Sequence, residues 1–565
     1  MQKLPILAAL AATAGVAAAQ NPRTPVRVDT ASNFAEVPCV ASDQDLSAIL
    51  YQVDADNSLW VTTSDGRGIN WTAPVRIDDK PSGSPNFILT RKSLRVENGN
   101  IFACWRDDRN GAVDDMYFTV STDGGATWAA NVLLDKGYPT GGNPVRDYAF
   151  DVDGDSAAVL IATDNGDEDL FLVVSTSAST GAFSAAIPAS TFNGLGDADA
   201  IDLEIEGDLV HFAYNHDTTG VNQTYYSVYD LAGGTFLTQD LLVSANAQAA
   251  GGDSAGALDI SCQGSEALIG WEVDDVNGAS EELWVNLIES GVALGDVQIG
   301  GYLAGTDDVD QTTVFHTGTR AIVAWEDNRT GGDECYVASS DLTGGAFAFG
   351  AETQFTSGGG GFPSISGGGD YFACTATGGG FPEAVNAIAS RDGGTSFGTP
   401  FVVSNNAGFD ADFAEVAFNE VYGNFVVSYL ADELTDNECY AGGFRVQSVA
   451  AVGTFSAGSP VSFEVSNFGL SEDGQNFAVV ASNAMGSIVL PDGRDIGLAN
   501  GTIYNYTRSR VPGQFSGALS GGAGSLATFN LPNVAPGTTI YFTAVGFDAS
   551  ANLYSITDVQ SVTTL

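Results

Sequence analysis

Short runs of alternating hydrophobic and polar positions recur along most of this chain at a nearly constant interval. Eight runs begin about 54 positions apart, and Gly, Asn and Asp residues punctuate the intervals between them. They are Ile49–Val53, Ile101–Trp105, Val159–Thr163, Val210–Tyr214, Leu268–Glu272, Ile322–Glu326, Tyr371–Thr375 and Phe425–Tyr429. Short runs of this kind between turn residues are typical of β-strands. The pattern therefore predicts an all-β chain.

Each run belongs to a larger unit. The third run, for example, is preceded by the strand-like segment Asp147–Val152 and followed, after a polar loop, by Leu170–Val174. A single small sheet cannot bury both of its faces, whereas sheets arranged around an axis bury them against each other. Short strands at this period are the signature of β-propeller blades. We predict an eight-bladed β-propeller over residues 20–450, or seven blades if the third unit is irregular.

The two ends of the repeat region predict how the ring closes. Thr24–Val28 followed by Phe34–Val37 is similar to Thr399–Val403 followed by Phe413–Val416, and the eighth unit stops after its third strand. We expect Thr24–Val28 to supply the missing outer strand of the eighth blade. A strand in that position removes the open sheet edges that would otherwise be exposed.

The remaining segments differ from the repeats. Residues 1–19 combine Lys3, a short apolar run and a small-residue segment, which is the pattern of an export signal cleaved near Ala19. Beyond residue 450 the repeat stops, and residues 451–565 are predicted to form a separate C-terminal β-sandwich. We expect a secreted or extracytoplasmic monomer without a membrane span.

Charge narrows the range of partners. Seventy acidic residues against twenty basic ones give a net charge of −50, which disfavours nucleic acid and anionic membranes as partners. Two explanations of the charge remain open, solubility in a salty medium that screens the repulsion and binding of divalent cations. The six cysteines form no C-x-x-C pair, so their spacing indicates neither a zinc nor a redox centre.

One turn motif appears in several units. Its full copy, with the pattern S-x-D-x-G-x-T-W, is Ser121, Asp123, Gly125, Thr127 and Trp128. A near-complete copy is Ser390, Asp392, Gly394, Ser396 and Phe397. The Asp can accept hydrogen bonds from turn N–H groups, and the glycines permit positive φ. The motif resembles the Asp-box of the bacterial neuraminidase repeat, which implies a sialidase-like propeller whose boxes lie on outer turns, away from the active site.

A second motif, W-x-D-x-R, lies where a strand leaves its sheet, in Trp105–Arg109 and again in Trp325–Arg329. In propellers this loop faces the end of the ring where ligands usually bind. The candidate ligand-binding residues at this end, from the motif, its partial copies and neighbouring loops, are Asp107, Arg109, Arg146, Glu272, Asp274, Glu326, Asp327, Arg329 and Asp432.

The alternative for this motif is a local ion pair within each blade. A binding site rarely needs the same group in every blade, so recurrence of the motif favours this alternative. The pairs then expected are Arg109 with Asp114 or Asp115, and Arg329 with Asp333 or Glu334.

The resemblance also implies what a sialidase would need. Active members of the family carry an Arg-Ile-Pro motif, two further arginines that clamp the substrate carboxylate, a Tyr–Glu nucleophile pair and an acidic proton donor. The nearest segment here is Glu36–Pro38, whose glutamate would repel that substrate. We therefore assign no catalytic residue.

We favour a non-catalytic propeller that binds a glycan or an extracellular protein, or serves in an envelope or matrix. The alternative is a glycoside hydrolase with its site at the central loop face, because two suitably spaced carboxylates suffice for hydrolysis.

Calcium is the one cofactor for which the sequence offers ligands. Asp151, Asp153 and Asp155 alternate along one turn, and hard oxygen ligands at alternate positions suit that ion. A second acidic loop contains Asp164, Asp167, Glu168 and Asp169. The alternative for both loops is a solvated turn.

Overall fold

The computed structural model describes residues 22–29, 35–53, 57–80, 87–88, 92–110, 114–134, 144–164, 168–218, 220–249, 253–274, 281–300, 308–343, 347–380, 382–404, 409–433 and 436–565. They form two compact units, Pro22–Val446 and Gln447–Leu565, where the sequence analysis placed the boundary after residue 450. The export signal predicted for residues 1–19 lies outside the described residues. Within these ranges, no helix is long and apolar enough to cross a lipid bilayer.

The described part of the larger unit is a β-propeller, with eight antiparallel sheets of four or five strands. We number them blades 1 to 8 in chain order and name their strands inner, second, third and outer. In that order they are Ala35–Asp43, Leu46–Val53, Ser58–Asp65 and Val75–Arg76 (blade 1); Phe87–Ile88 with Leu94–Glu97, Asn100–Asp107, Asp115–Ser121 and Val132–Leu133 (blade 2); Val145–Asp153, Ser156–Asp164, Glu168–Ser175 and Ile187–Pro188 (blade 3); Ala198–Glu206, Leu209–His216, Gln223–Asp230 and Thr235–Leu242 (blade 4); Asp253–Gln263, Glu266–Asp274, Glu281–Glu289 and Val292–Ala293 with Val297–Ile299 (blade 5); Val309–His316, Arg320–Asp327, Glu334–Asp341 and Thr353–Gln354 (blade 6); Gly360–Gly368, Tyr371–Gly378, Ala384–Ser390 and Phe401–Val402 (blade 7); and Ala411–Asn419, Asn424–Glu433, Asp436–Phe444 and Val26–Arg27 (blade 8). Two short helices, Ala178–Thr180 (3-10) and Ala245–Ala249 (α), lie between strands.

Hydrophobic packing between neighbouring sheets holds the ring together. Phe118 of blade 2 meets Phe150 of blade 3 edge to face, with 6.1 Å between the ring centroids, in a core shared by these two blades. Inner strands of consecutive blades pack beside each other, and the inner strand of blade 8 packs beside that of blade 1. The alternating apolar runs of the sequence are therefore the second strands of the blades, buried on both sides.

The ring closes as the sequence predicts. Val26 pairs with Ala441 and Arg27 with Tyr440, so the segment near the amino terminus is the outer strand of blade 8. The backbone N–H of Val28 extends the pairing by donating to the Cys439 carbonyl at 2.9 Å. Main-chain hydrogen bonds thus hold the segment that precedes blade 1 in the chain to the last blade.

A bulge interrupts most of the inner strands near their start. At this bulge the backbone φ is positive, a conformation that costs energy for any residue with a Cβ. The residues that adopt it are Val37, Ala200, Gly256, Gln311, Phe362 and Phe413. The bulge lies at the end of the ring where second strands pass into third strands, which we call the loop face.

The Asp-box is a turn at the opposite end. Ser121, which begins the box, pairs with Ile101 at the start of the second strand of blade 2, far from Asp107 at its loop-face end. Asp123 accepts hydrogen bonds of 2.8 Å from the Thr127 N–H and 2.6 Å from its hydroxyl. These bonds lower the pKa of Asp123. They give this aspartate a structural role, as the motif predicts.

The smaller unit consists of two antiparallel sheets that share one hydrophobic core. Phe463 from one sheet packs against Phe542 from the other at 4.8 Å between centroids. The strands of the first sheet are Ser448–Gly453, Pro460–Ser466, Gly524–Ser525 and Phe529–Asn530. Those of the second are Asn476–Ser482, Ser516–Ala518, Thr539–Phe547, Leu553–Ile556 and Gln560–Thr563. The helices are Leu470–Glu472 (3-10) and Thr502–Arg508 (α).

Candidate functional site

The inner strands enclose a cavity of about 690 Å³ on the ring axis, with lining residues from all eight blades. Most of its charged lining residues are acidic. The charged lining residues are Lys92, Arg95, Asp147, Asp151, Asp202, Glu204, Asp259 and Glu415. This set, which we call the channel charges, is the first candidate site.

Lys92 is held between two carboxylates of other blades. Its Nζ lies 2.5 Å from Asp202 and 3.0 Å from Asp259. Burial raises the pKa of Asp202 well above its ordinary value, although Lys92 opposes this shift. Burial also acts to raise the pKa of Asp259, but Lys92 and hydrogen bonds to this carboxylate outweigh it and lower the pKa. The pKa values of the two aspartates are therefore shifted in opposite directions, although both carboxylates contact the same ammonium.

The second cation of the channel is similarly engaged. Arg95 Nε donates to Asp151 Oδ1 at 2.5 Å. The other oxygen of Asp151 accepts a hydrogen bond of 2.8 Å from the backbone N–H of Ile205 in blade 4. Both Arg95 and Asp151 are therefore engaged in structural contacts.

The channel carboxylates also link neighbouring blades. Five of the six accept a hydrogen bond of 2.7 to 2.9 Å from a backbone N–H on the next inner strand. The pairs are Asp151 with Ile205, Asp202 with Ile260, Glu204 with Cys262, Asp259 with Val314 and Glu415 with Val40. Asp151 was considered only as a calcium ligand, and the sequence analysis missed the other four, although acids at alternate positions of a preceding strand, as in Asp202 and Glu204, were a visible signal.

At the loop face, the W-x-D-x-R motif folds onto itself. In blade 2, Asp107 is buried and accepts hydrogen bonds of 2.7 Å from the Arg109 backbone N–H and 2.6 Å from its Nε. The guanidinium also stacks 4.0 Å from the centre of the Tyr117 ring. In blade 6, Asp327 and Arg329 repeat the arrangement, with the same two distances.

The partners of these arginines differ from the expected ones. Arg109 reaches Asp79 beyond Asp107, and Arg329 pairs with Glu352 at 2.5 Å beyond Asp327. Asp114 or Asp115 was expected for Arg109, which instead pairs with Asp107 on its own strand and with Asp79. Asp333 or Glu334 was expected for Arg329, for which the structure shows pairs with Asp327 and Glu352. The local ion-pair alternative nevertheless describes both motifs.

The other candidate residues lie at the same end without forming one constellation. The side chain of Arg146 is 56 % exposed and its Nε lies 3.2 Å from Glu168. Asp432 is exposed and its backbone N–H donates to Asp410 at 2.9 Å. Glu326 ends the second strand of blade 6 beside Asp327, and its Cα is paired with that of Asp310.

Glu272 belongs to a carboxylate cluster. Among the described residues, the group of three metal-ligating side chains with oxygens within 4.8 Å of one another is Glu272, Glu281 and Asp310. Burial, opposed by the Ala257 N–H and reinforced by Asp310 and Glu281, raises the pKa of Glu272 to about 8. Burial and Asp310, followed by Asp274, raise that of Glu281 to about 7.

The three aspartates suggested for calcium do not form such a group. Asp151 faces the channel, Asp153 accepts the Gly207 N–H at 2.6 Å, and Asp155 accepts the Ser179 N–H at 2.7 Å. Asp151 and Asp153 are alternate residues of a strand and lie about 7 Å apart, and Asp155 belongs to the turn that follows, so each finds its own partner. The geometry therefore does not support that calcium loop. Of the second acidic loop, Asp167 lies outside the described residues.

Comparisons with known proteins find only remote structural likenesses. No protein-family model matches the chain, and no curated protein matches it. Among solved structures, the sialidase of Trypanosoma rangeli is 9 % identical, with 97 % of this chain and 93 % of that chain covered and a TM-score of 0.34. The β-propeller domain of the Trilobed protease from Pyrococcus furiosus is 8 % identical, with 62 % and 91 % covered and a TM-score of 0.37. The phage phi92 endosialidase is 10 % identical, with 84 % of each chain covered and a TM-score of 0.35. Likenesses at this level carry no argument about activity.

Proposed function

We propose that this propeller is a non-catalytic binding protein whose ligand, a glycan or an extracellular protein, contacts the loop face. The observation that carries the proposal is the engagement of the channel charges. Lys92 and Arg95 are paired, and the carboxylates around them accept backbone N–H groups of neighbouring blades. Groups with such partners maintain the ring and are poorly placed to exchange protons with a substrate.

The loop face also presents apolar side chains. Phe362 and Phe413 occupy the bulges of blades 7 and 8, with φ of 58° and 52°, and their ring centroids lie 4.6 Å apart. Both are partly exposed. Gln311, at the same position in blade 6, lines the axial cavity, so this position borders the channel mouth. Aromatic rings that are partly exposed and held rigidly suit contact with the apolar face of a ligand.

The proposal is tested by binding. The purified full chain is applied to a glycan array, and hits are confirmed by calorimetry. The double variant Phe362→Asn, Phe413→Asn keeps a residue type that tolerates positive φ, and we expect it to weaken binding at least tenfold. Leu237→Ser, at a 60 % exposed leucine on the outer strand of blade 4, is the matched control and should bind normally.

A second function, glycoside hydrolysis in the channel, has one observation in its favour. Asp202 and Glu204 alternate on the inner strand of blade 4 and both line the cavity. Burial, with the Asp151 charge, raises the pKa of Glu204 to about 7, as a general acid requires. Two carboxyl groups about 7 Å apart along a strand fall in the range used by glycosidases.

A screen of chromogenic glycosides separates the two functions. The binding proposal expects no turnover above that of a buffer blank. Turnover that disappears in Glu204→Gln and persists in Phe362→Asn would establish hydrolysis in the channel and overturn the non-catalytic proposal.

A further inference from the structure

Three carboxylates meet where blade 5 adjoins blade 6. Glu272 lies on the second strand of blade 5, Glu281 begins its third strand, and Asp310 lies on the inner strand of blade 6. One oxygen from each lies within 4.8 Å of the other two. Asp274 and Asp308 add further negative charge around Glu281. Like charges at this separation repel each other unless a cation compensates them.

Glu272 is the buried member of the cluster. The residue is only 2 % exposed, and its Oε2 accepts the Ala257 backbone N–H at 2.8 Å. Its Oε1 is also shielded from solvent but has no hydrogen-bond partner. A buried carboxylate oxygen normally has a partner, because removing it from water without one is costly. This unsatisfied oxygen on the buried member of the cluster is an observation independent of the accumulation of acids.

The same place in blade 2 holds a cation. Trp105 pairs with Tyr117 in blade 2, and Trp271 pairs with Trp284 in blade 5. When these two pairs are aligned, Arg106 and Asp114 of blade 2 take the positions of Glu272 and Glu281 in blade 5. Arg106 Nε lies 3.2 Å from Asp114, and its Nη1 donates to the Val145 carbonyl of the next blade at 2.9 Å. Blade 5 therefore has a carboxylate where blade 2 has a guanidinium.

We propose that Glu272, Glu281 and Asp310 bind a divalent cation, with calcium preferred over magnesium. All three ligands are hard carboxylate oxygens, which suit both ions. Glu281 is partly exposed and Asp310 exposed, so water can complete the coordination shell. Calcium accepts six to eight oxygens in a flexible arrangement, whereas magnesium retains several waters and uses one or two carboxylates. The ion joins blade 5 to blade 6 as Arg106 joins blade 2 to blade 3.

Calorimetry on the full chain, first stripped of metal with EDTA, tests the site. Calcium chloride and magnesium chloride are titrated separately in about 0.15 M sodium chloride, which screens diffuse attraction to the acidic surface. We expect one saturable calcium site, at least tenfold weaker binding of magnesium, and loss of the site in Glu272→Gln and in Asp310→Asn. Glu289→Gln changes a glutamate at the opposite end of the strand that Glu281 begins, and should leave the isotherm unchanged.

Thermal unfolding supplies a readout that a purely structural role would not produce. With calcium, wild type should unfold at a temperature several degrees higher than in EDTA, and Glu272→Gln should show no such difference. In EDTA the variant should be about as stable as wild type, because the uncharged amide keeps an acceptor for the Ala257 N–H. A Glu272→Gln isotherm equal to that of wild type, calcium binding without saturation, or equal destabilisation of the variant in both conditions would overturn the proposal.

Discussion

Glu415 Oε2 accepts a hydrogen bond of 2.7 Å from the backbone N–H of Val40, 375 positions away in the chain. Glu415 lies on the inner strand of blade 8 and Val40 on that of blade 1, so the bond crosses the point where the ring closes. Asp202 makes the same type of bond to Ile260 between blades 4 and 5. Closure thus depends on side chains at the channel as well as on the outer strand.

Removing this bond should weaken the ring. Glu415→Ala leaves the buried Val40 N–H without its acceptor, which we expect to lower the free energy of unfolding by about 1 to 3 kcal/mol. Glu415→Gln retains a carbonyl oxygen at this position and should lose less. Urea denaturation followed by tryptophan fluorescence measures both. Equal midpoints for Glu415→Ala and wild type would mean that the bond contributes nothing to closure.

The closing strand should protect its neighbour from hydrogen exchange. A chain that lacks residues 22–29 loses the strand that contains Val26 and Arg27 and also the Arg27 ion pair with Asp29 at 2.5 Å. We expect faster amide exchange in Asp436–Phe444, the third strand of blade 8, because it becomes an edge. Mass spectrometry of the exchanged peptides measures the rate of amide exchange in this strand. Val26→Thr, at a 44 % exposed side chain, is the control and should keep wild-type protection. Unchanged exchange after the deletion would show that the closing strand does not protect blade 8.

The W-x-D-x-R motifs should affect stability and not binding. Asp327→Asn removes the charge that holds Arg329 at 2.6 Å in blade 6. Breaking such a buried pair costs about 3 kcal/mol, because a cation remains with less compensation. Thermal and urea unfolding should show the loss, and ligands found on the array should bind with wild-type affinity below the unfolding temperature. Weaker binding at full stability would instead identify the motif as part of the ligand site.

Glu204 should make the stability of the ring depend on pH. Its pKa, raised to about 7 from an ordinary 4.5, means that the folded protein takes up a proton that the unfolded chain does not. The contribution to stability therefore grows as pH falls from about 8 to about 5 and is lost as pH rises through 7. Glu204→Gln keeps an acceptor for the Cys262 N–H and should flatten this dependence.

At pH 8 that variant should be more stable than wild type by on the order of 2 kcal/mol. Urea unfolding at four values between pH 5 and pH 8 measures the difference. A Glu204→Gln profile parallel to that of wild type would show that Glu204 is not the group that titrates.

Local residue patterns were enough to predict the repeated strands and the closing strand. Thr24–Val28 is similar to Thr399–Val403, which predicts an outer strand, and Val26 indeed pairs with Ala441. The Asp-box could also be interpreted correctly, because Asp123 meets Thr127 only four positions away. Interactions within a few residues follow from chain geometry that the sequence displays directly.

The site could be predicted only in part. Asp107 and Arg109 were recognised, but their partner Asp79 lies on another blade. Asp151, Asp153 and Asp155 looked like a cation loop because they are close in sequence, yet their carboxylates have separate partners. Proximity along a strand does not bring side chains to a common point.

The sequence by itself determined the all-β character, the presence of a repeated unit and the strand that joins the two ends, because these depend on local alternation and on similarity between segments. The choice between eight units and seven came from the sheets of the structure. Only the tertiary structure decided which carboxylates meet. Glu281 reaches Asp310, and Lys92 reaches Asp202 and Asp259, through the circular arrangement of the blades. Curvature of the ring and the register of each sheet fix those distances, and neither quantity is encoded in any single stretch of residues.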